Sequence, residues 1–386
     1  MNILFCYGNW MNPNCGGVQR VSDTLAKYFN SKGHKLCYLT FQFDANDKYL
    51  FPSTIYHLPD SIFFSDLNLS YYHQLLHDLS IDIIVNHDAS NNRCKLWLNT
   101  GKQTVKKVSL YHTDPLHGIY QLVGLSRYIG NRLPGKLILK CLSSIFTYIK
   151  IPRKRKEIRF LLNNSDKLVL LSDEFKKQIW NKLKISSLKI SAISNPFILS
   201  PHWSYTTKEK KVLFVARFEL SVKRHDQILK VWSYIQNKFP DWELLFLGDG
   251  PDRKKVEEIS HSLHLHKVRF EGFVDPVAYY SEASIICMTS DYEGFGLVLL
   301  EAMQYGVVPI AFNNWASLKD IIVDEVTGIM VKSGDLSDYS EKLSKLISND
   351  VFRNRIATNA REYIKKFQID TIGPKWLTLF DELLEK

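Results

Sequence analysis

Residues 291–302 read Asp-Tyr-Glu-Gly-Phe-Gly-Leu-Val-Leu-Leu-Glu-Ala and follow an apolar run, Ser284–Met288, that predicts a buried strand. Gly294 and Gly296 allow the backbone to approach a ligand closely. The apolar spacing of Leu297–Tyr305 predicts a helix that begins directly after them. The first turn of such a helix directs unpaired N–H groups toward the loop. The stretch therefore predicts a strand–loop–helix unit with a ligand at its loop.

Two acidic residues, Glu293 and Glu301, stand seven intervening residues apart in this stretch. With Glu293 in the loop and Glu301 on the helix, one carboxylate can bind a sugar ring while the other reaches a pair of ribose hydroxyls. The alternative is that Glu293 complements the positive end of the helix dipole and that Glu301 is solvated.

The same alternation of strand and helix extends to both sides of the stretch. Strands are predicted at Ile3–Tyr7, Lys35–Thr40, Ile81–Asn86, Val105–Leu110, Lys167–Leu171, Ile190–Ile193, Val212–Ala216, Glu243–Leu247, Val268–Glu271 and Val307–Ala311. Helices are predicted at about 18–32, 224–238, 252–263, 350–366 and 371–385. Strands that alternate with helices indicate an α/β fold of doubly wound parallel sheets.

The chain has 386 residues, which suggests about two domains at roughly 100–200 residues each. The junction near Asn195–Lys211 is polar and contains Pro196 and Pro201, so it reads as a linker. We predict one Rossmann-like domain at 1–195, a second at 196–370, and a final amphipathic helix at 371–386 that crosses back to the first domain. Ligands bind at the carboxyl ends of the strands in such sheets, which predicts a central cleft.

The composition excludes several classes of protein. Hydrophobic residues make up 45 % of the chain, and the six cysteines form no Cys-x-x-Cys pair, which favours a reducing compartment over a disulfide framework or a zinc site. The first residues read as a strand rather than a signal peptide. Without a run of about 18 apolar residues, we expect no membrane-spanning helix and a cytoplasmic location.

The positive charge is concentrated in the first half. Residues 1–195 contain 26 Lys and Arg against 13 Asp and Glu, whereas residues 196–386 contain 24 against 27. The excess is densest at 127–159, where basic residues alternate with apolar ones. This pattern suits an anionic membrane surface; the alternative is a solvated basic helix with an ordinary core face. Nucleic acid is not expected as a partner, because no recognition motif accompanies the charge.

Two cations are positioned to bind phosphate. Arg217 and Lys223 lie six residues apart across a predicted strand-to-helix turn, so both can converge on one diphosphate, although a plain surface pair is the alternative. The sequence contains no Asp-x-Asp pair of the kind that holds a metal on a diphosphate, which favours a metal-free site.

Glycine turns appear at two further places. Gly16-Gly17 is predicted to follow the first strand directly and to precede a helix, where it suits close approach to phosphate or acceptor; the alternative is an ordinary tight turn. Neither this pair nor Gly248-Asp-Gly250 completes the dinucleotide fingerprint G-x-G-x-x-G, so a nicotinamide cofactor is not expected.

These motifs together resemble the GT-B glycosyltransferases of family 4, whose E-x7-E motif matches Glu293 to Glu301. The resemblance covers most of residues 196–366, and in the first half it is confined to the glycine loop and positions such as His112. The matching segments are Val212–Arg217 with Lys223, Leu245–Pro251, Phe270–Val274 and Cys15–Arg20.

The resemblance implies a role for each matching residue. Arg217 and Lys223 would stabilise the leaving diphosphate, Glu301 would hold the ribose, and Glu293 would orient the donor sugar. His112 would contact that sugar near its reacting carbon, although a lone histidine is more often structural. Further donor contacts are expected from Gly16, Gly17, Gly248, Phe273, Val274, Gly294, Phe295, Gly296 and Leu297. His87 and Asp88 end another predicted strand and are candidates for acceptor contact.

The function implied is that of a retaining, metal-independent hexosyltransferase with no cofactor. It would move a hexose or N-acetylhexosamine from a nucleotide diphosphate sugar, with uridine as the expected base, to a glycan or polyprenyl-diphosphate-linked acceptor. Assembly of a bacterial surface polysaccharide (lipopolysaccharide or capsule) at the inner face of the membrane fits this chemistry. A nucleotide-sugar epimerase, a phosphorylase and a non-catalytic nucleotide-sugar-binding protein are the alternatives.

Overall fold

The computed structural model describes residues 1–44, 46–102, 104–117, 119, 133–199 and 208–385, with the backbone alone for residue 15 and residues 133–148. The chain forms two compact units. The first comprises Met1–Ile119, Ile145–Ile198 and Phe367–Lys386, and the second comprises Tyr120–Ser144 and Leu199–Lys366. The sequence had predicted domain boundaries between residues 195 and 196 and between residues 370 and 371. Residues 127–132 of the predicted basic segment, and Pro201 of the predicted linker, lie outside the described residues.

The first unit is built on a parallel sheet of order β3-β2-β1-β4-β5-β6-β7. Its strands are β1 (Asn2–Tyr7), β2 (Lys35–Thr40), β3 (Thr54–His57), β4 (Ile83–Asn86), β5 (Lys106–Tyr111), β6 (Lys167–Leu170) and β7 (Ile190–Ala192). The helices in this part of the chain are α1 (Gly17–Ser31), α2 (Asp66–Asp78), α3 (Cys94–Trp97), α4 (Leu133–Asn164) and α5 (Asp173–Gln178), with a 3-10 turn at Pro13–Cys15 and a π-helical turn at Ile179–Leu183.

The second unit repeats the scheme with a parallel sheet of order β10-β9-β8-β11-β12-β13. Its strands are β8 (Lys211–Val215), β9 (Glu243–Leu247), β10 (Val268–Gly272), β11 (Ile285–Met288), β12 (Val308–Phe312) and β13 (Ile329–Val331). Its helices are α6 (Leu220–Lys223), α7 (His225–Ile235), α8 (Arg253–Ser262), α9 (Val277–Glu282), α10 (Leu297–Gln304), α11 (Leu318–Ile321), α12 (Leu336–Ser348) and α13 (Asp350–Tyr363), followed by a 3-10 turn at Ile364–Phe367.

Continuous apolar runs form the central strands because helices cover both faces of each sheet. Every residue of β11 is buried, and so is every residue of β12. The core of the second unit packs Phe214 and Phe246 of the sheet against Trp232 of α7 and Leu343 of α12. The predicted fold class, two doubly wound Rossmann-like units, is confirmed.

The last helix, α14 (Ile369–Leu384), packs on α1 within the first unit. The rings of Phe29 and Phe380 lie 5.6 Å apart. Gly373 allows the closest approach, since a Cβ at this position would lie 2.3 Å from the Tyr28 ring. An isolated parallel bridge pairs Phe197 with Gln368. It joins the end of the segment Ile145–Ile198 to the start of the segment Phe367–Lys386, both of which belong to the first unit.

No helix within the described ranges is both long enough and apolar enough to cross a bilayer. The same part of the chain contains no group of three or more His, Cys, Asp or Glu side chains arranged to hold a metal ion.

Candidate functional site

The order of strands in the second unit creates a crevice between β8 and β11. The chain proceeds from β8 through β9 to β10 on one side, and from β11 through β12 to β13 on the other. The loops after these two neighbouring strands therefore diverge at their carboxyl ends, which is the place where open parallel sheets bind ligands. Arg217 follows β8 and Glu293 follows β11, so the structure brings the two predicted motifs to this crevice.

The glycine turn after β9 packs directly on the loop after β8. Gly248 has φ +134°, and a Cβ there would lie 2.1 Å from the carbonyl oxygen of Ala216. At Gly250 a Cβ would lie 2.5 Å from the carbonyl oxygen of Phe218. The amide of Phe218 donates to the carbonyl of Asp249 at 2.9 Å. Contact between the two loops therefore accounts for both glycines, and the predicted donor contact of Gly248 stays a prediction.

A buried arginine fixes the loops that border the crevice. Arg224 is 3 % exposed, and its guanidinium donates to both carboxylate oxygens of Asp226, at 3.1 and 3.3 Å, and to Asp291 at 3.1 Å. Burial alone lowers the pKa of Arg224, but the two carboxylates outweigh burial and raise it. The side chain is therefore charged, and it joins the start of α7 to the loop after β11.

Backbone hydrogen bonds reinforce this connection. The amide of Asp291 donates to the carbonyl of Val222 at 2.8 Å. The hydroxyl of Thr289, which is fully buried, lies 3.0 Å from the carbonyl of Lys223 and 2.8 Å from that of Arg224. Arg224 itself has φ +54°, a left-handed conformation that separates α6 from α7. These contacts hold the end of α6 rigidly against the loop that carries Glu293.

Lys223 and Glu293 form an ion pair as a result. The Lys223 Nζ lies 2.7 Å from Glu293 Oε1, and the side chains are 22 % and 13 % exposed. Sequence analysis assigned the lysine to the leaving diphosphate and the glutamate to the donor sugar, and the structure brings them into direct contact. An anion that enters the crevice will compete with Glu293 for Lys223.

Arg217 lies in the loop directly after β8 and is exposed. Phe273 and Val274 follow β10 with 79 % and 37 % of their surfaces exposed. An exposed aromatic ring at the carboxyl end of a parallel strand offers a face on which a nucleobase can stack.

The loop before α10 adopts the geometry that the glycines predict. Gly296 has φ +87° and caps α10, which begins at Leu297, while Phe295 is buried. The hydroxyl of Ser317 donates to the carbonyl of Gly294 at 3.0 Å and so fixes the loop from the β12 side. On α10, Glu301 accepts a hydrogen bond from the Tyr280 hydroxyl at 3.3 Å.

In the first unit, the corresponding crevice lies between β1 and β4, whose connections also diverge. Gly16 and Gly17 precede α1 as predicted, but they do not directly follow the first strand: β1 ends at Tyr7, and residues 8–15, with their 3-10 turn, intervene. Gly16 has an extended backbone with φ 166°, so it caps α1 without left-handed strain. The prediction of adjacency was wrong because residues 8–15 form a connection, with a 3-10 turn at Pro13–Cys15, that the apolar pattern does not reveal.

Asp88 is committed to the architecture of this edge. It is 1 % exposed, and its carboxylate accepts from the amide of Gly8 at 2.6 Å, from Trp97 Nε1 at 2.8 Å and from the amide group of Asn91 at 3.0 Å. These bonds join the end of β1 to the end of β4. In the structure, the carboxylate of Asp88 accepts three hydrogen bonds from within the first unit. The acceptor contact expected for Asp88 stays a prediction.

His87 and His112 lie at the carboxyl ends of β4 and β5, and their rings meet edge to edge in nearly the same plane. Their ring centroids are 5.1 Å apart with an interplanar angle of 15°, and His87 Nδ1 lies 2.9 Å from His112 Nε2. Burial lowers the pKa of His112 to about 3. Burial, and then the neighbouring His112, lower the pKa of His87 well below its usual value. Both rings are therefore neutral at pH 7.

Sequence analysis missed the residues that hold the site together. Arg224, Asp226, Asp291 and Thr289 received no role, although Arg224 and Asp291 stand beside residues that did. It also missed Asp114, three residues after the end of β5, whose pKa is raised to about 6 by burial. The available signal was that Arg224 and Asp291 stand within two residues of Lys223 and Glu293, respectively.

We predict that Asp291→Asn will lower the stability of the protein by about 1–3 kcal/mol, because Arg224 then retains one carboxylate for its buried charge. Urea denaturation followed by tryptophan fluorescence measures this loss. The matched control is Asp241→Asn, whose carboxylate pairs with Lys210 where both side chains are more than 60 % exposed. That change is expected to cost less than about 0.5 kcal/mol. Equal losses in the two variants would refute the role given to Arg224.

Comparison with known proteins matches each half of the chain to a glycosyltransferase family model. Residues 15–200 match the family described as Glycosyltransferase Family 4, and residues 201–363 match Glycosyl transferases group 1. A relative from Campylobacter jejuni, a GalNAc-alpha-(1->4)-GalNAc-alpha-(1->3)-diNAcBac-PP-undecaprenol alpha-1,4-N-acetyl-D-galactosaminyltransferase, is 30 % identical over 50 % of this chain and 55 % of its own length. A poly(ribitol-phosphate) alpha-N-acetylglucosaminyltransferase from Staphylococcus aureus is 25 % identical over 59 % of this chain and 47 % of its own length.

Both matches are partial: the chain spans about half the length of these curated relatives. Among solved structures, a TarM variant from S. aureus in complex with fondaparinux, alpha-GlcNAc-glycerol and UDP superposes with a TM-score of 0.77 at 16 % identity, over 98 % of this chain and 100 % of that one. The two family matches together take in all but the ends of the sequence, and the fold agrees over nearly its whole length. The chain belongs to the GT-B glycosyltransferases of family 4.

Proposed function

We propose that the protein is a retaining, metal-independent glycosyltransferase that moves a hexose or N-acetylhexosamine from a UDP-sugar to a glycan or polyprenyl-diphosphate-linked acceptor. The observation that carries this proposal is the Lys223–Glu293 ion pair at the β8–β11 crevice. It combines, within 2.7 Å, a cation for phosphate and a carboxylate for sugar hydroxyls.

The leaving group determines what the donor site must supply. When the bond between the anomeric carbon and the diphosphate breaks, the electron pair stays on the diphosphate oxygen. Preorganised cations stabilise this developing charge, and Lys223 offers a point charge while Arg217 offers a planar fork. These two side chains take the part that a metal ion plays at other diphosphate sites.

Glu293 and Glu301 recognise different parts of the donor. Once the diphosphate draws Lys223 away, Glu293 Oε1 becomes available to accept hydrogen bonds from hydroxyls of the sugar. Glu301, oriented by the Tyr280 hydroxyl, accepts hydrogen bonds from the ribose. The exposed ring of Phe273 stacks on the base. The acceptor hydroxyl attacks from the face that the diphosphate leaves and passes its proton to the departing phosphate, which gives retention.

The acceptor class is inferred from the relatives. One bears the name of an enzyme acting on an undecaprenyl-diphosphate-linked glycan, and another that of an enzyme acting on a poly(ribitol phosphate). Both relatives come from bacteria. We therefore extend the proposal to surface-polysaccharide biosynthesis by a cytoplasmic protein bound peripherally to the inner face of the membrane.

Part of the 127–159 segment supports this membrane contact. On α4, Ile149 is 65 % exposed, and Arg153, Lys156 and Arg159 are exposed as well. Two further basic residues are used within the unit instead, since Lys154 pairs with Glu157 at 2.9 Å and Arg155 donates to the carbonyl of Leu183. The basic surface is therefore narrower than the composition of the segment suggests.

Reversing two of these exposed charges, in the double variant Arg153→Glu/Lys156→Glu, is expected to weaken binding to phosphatidylglycerol vesicles at least about tenfold, since each basic residue near an anionic surface contributes about 1 kcal/mol. Vesicle flotation measures the effect. The control is Lys254→Glu/Lys255→Glu, which reverses two exposed charges on α8. If wild-type protein does not bind the vesicles, or if both double variants bind equally well, the membrane proposal fails.

The donor site is tested by calorimetry with UDP, GDP, ADP and dTDP in EDTA. Wild-type protein is expected to bind UDP selectively, and Lys223→Ala is expected to lose most of this binding and about 10²- to 10³-fold in transfer rate. Proton NMR of the anomeric signal in the product then reports retention or inversion.

Unchanged turnover in a folded Lys223→Ala protein would exclude the role of the lysine. Release of nucleotide from the UDP-sugar without an acceptor would instead indicate a nucleotide-sugar epimerase, and a requirement for inorganic phosphate would indicate a phosphorylase. Binding of UDP with no turnover under any of these conditions would favour a nucleotide-sugar-binding protein.

A further inference from the structure

A single hydrogen atom lies between the facing ring nitrogens of His87 and His112, whose rings meet edge to edge. Both rings are neutral, so each has one N–H and one bare nitrogen. Of the two nitrogens that face each other at 2.9 Å, His87 Nδ1 and His112 Nε2, one must donate and the other must accept. The choice fixes the tautomer of both rings, because a hydrogen on one nitrogen of a neutral imidazole leaves the other bare.

A neighbouring serine decides which nitrogen donates. The hydroxyl of Ser22, fully buried on α1, donates to the carbonyl of Val18 at 2.9 Å, so its hydrogen is already used. The same oxygen lies 3.4 Å from His87 Nδ1 and can only accept there. A hydrogen on His87 Nδ1 satisfies this oxygen and His112 Nε2 together. The opposite tautomer would set a bare nitrogen against the lone pairs of the serine oxygen.

This assignment places a hydrogen-bond donor on the far side of His112. With its Nε2 accepting, His112 carries its hydrogen on Nδ1. That nitrogen is buried and has no hydrogen-bond partner within the part of the chain that the structure describes. A buried donor without a partner costs about 1–3 kcal/mol. Such a cost is tolerated where a ligand supplies the missing acceptor, and an oxygen atom of a sugar is an acceptor of this kind.

We propose that His87 is a positioning residue that holds His112 in its Nδ1–H tautomer, so that His112 donates a hydrogen bond to an oxygen of the sugar substrate. The contact between His112 and the sugar is the one already expected from the family resemblance and rests on the proposed function, whereas the tautomer and the part that His87 plays in it do not. The role differs from the acceptor contact expected for His87 from the sequence, because His87 Nδ1 is occupied by His112 and Ser22.

The tautomer is read directly by long-range proton–nitrogen NMR of the substrate-free protein labelled with ¹⁵N-histidine, since protonated and bare ring nitrogens have well-separated shifts. Wild-type protein is expected to show hydrogen on Nδ1 of both His87 and His112.

His87→Asn places an amide N–H near the position of Nδ1 and is expected to preserve the His112 tautomer. His87→Leu removes the donor and is expected to move the His112 hydrogen to Nε2, the form that a free imidazole prefers. His73→Asn, on α2, is the control and is expected to leave both signals unchanged.

The kinetic test uses the same variants with a UDP-sugar that the wild-type protein transfers. His87→Leu is expected to lower kcat/KM about 10- to 100-fold, and His87→Asn to stay within about threefold of wild type. Hydrogen on His112 Nε2 in the wild-type protein, or an unchanged tautomer in His87→Leu, would overturn the proposal. Equal kcat/KM in both variants would overturn the positioning role. If the wild-type protein transfers no sugar, the proposed function fails by itself, and the NMR measurement still decides the tautomer.

Discussion

A guanidinium that is almost wholly withdrawn from water stays charged only where carboxylates replace its hydration. Arg224 meets this requirement with Asp226 in the first turn of α7 and Asp291 from the loop after β11. Asp226 comes after β8 and Asp291 after β11, two strands that are far apart in the sequence but adjacent in the sheet. The charge of Arg224 therefore fixes the segments after these two strands relative to each other. Because Lys223 and Glu293 stand next to these residues in sequence, their ion pair is a consequence of the same constraint.

Under the proposed function, the ion pair accounts for the binding of a diphosphate and a sugar in one crevice. In the ligand-free protein Lys223 and Glu293 neutralise each other with little exposure to water. A diphosphate carries more charge than a single carboxylate and is the stronger partner for the lysine. In the proposed function its arrival releases Glu293 for sugar hydroxyls, so that binding of one part of the donor prepares the site for the other. In the first unit, buried Asp88 and the His87–His112 pair also join strand ends, and within the described residues two ring nitrogens of this pair, His87 Nε2 and His112 Nδ1, have no hydrogen-bond partner.

Much of the fold could be predicted from the sequence because long apolar strands and amphipathic helices carry strong periodic signals. The strand Lys35–Thr40 was predicted to the residue, and the helix after Gly296 begins where the left-handed glycine requires. The short strands β3 and β13 were missed, since three or four residues at a sheet edge carry too little periodicity. Helix α12 was missed as well, although its buried residues recur at helical spacing after an Asp335 cap.

Individual residues of the candidate site could be predicted from the sequence, but the contacts between their side chains could not. The E-x7-E motif identified Glu293, and the strand-to-helix turn identified Lys223, but nothing in local spacing shows that side chains 70 residues apart touch. For the same reason, local spacing did not predict the ion pairs of Arg224 with Asp226 and Asp291 or the hydrogen bond between His87 and His112. Long-range contacts depend on the order of strands in the sheet, which periodicity alone does not determine.

The central claim, that Glu293 and a nucleoside diphosphate compete for Lys223, is tested most directly by the affinity of Glu293→Gln for UDP. Calorimetry in EDTA is expected to show binding about 2- to 10-fold tighter than in the wild type, because a partly exposed ion pair of about 0.5–1.4 kcal/mol no longer has to be broken. Glu258→Gln makes the same charge change on an exposed face of α8 and is expected to leave the affinity unchanged. Weaker binding of UDP by Glu293→Gln, or an equal gain in both variants, would contradict the account.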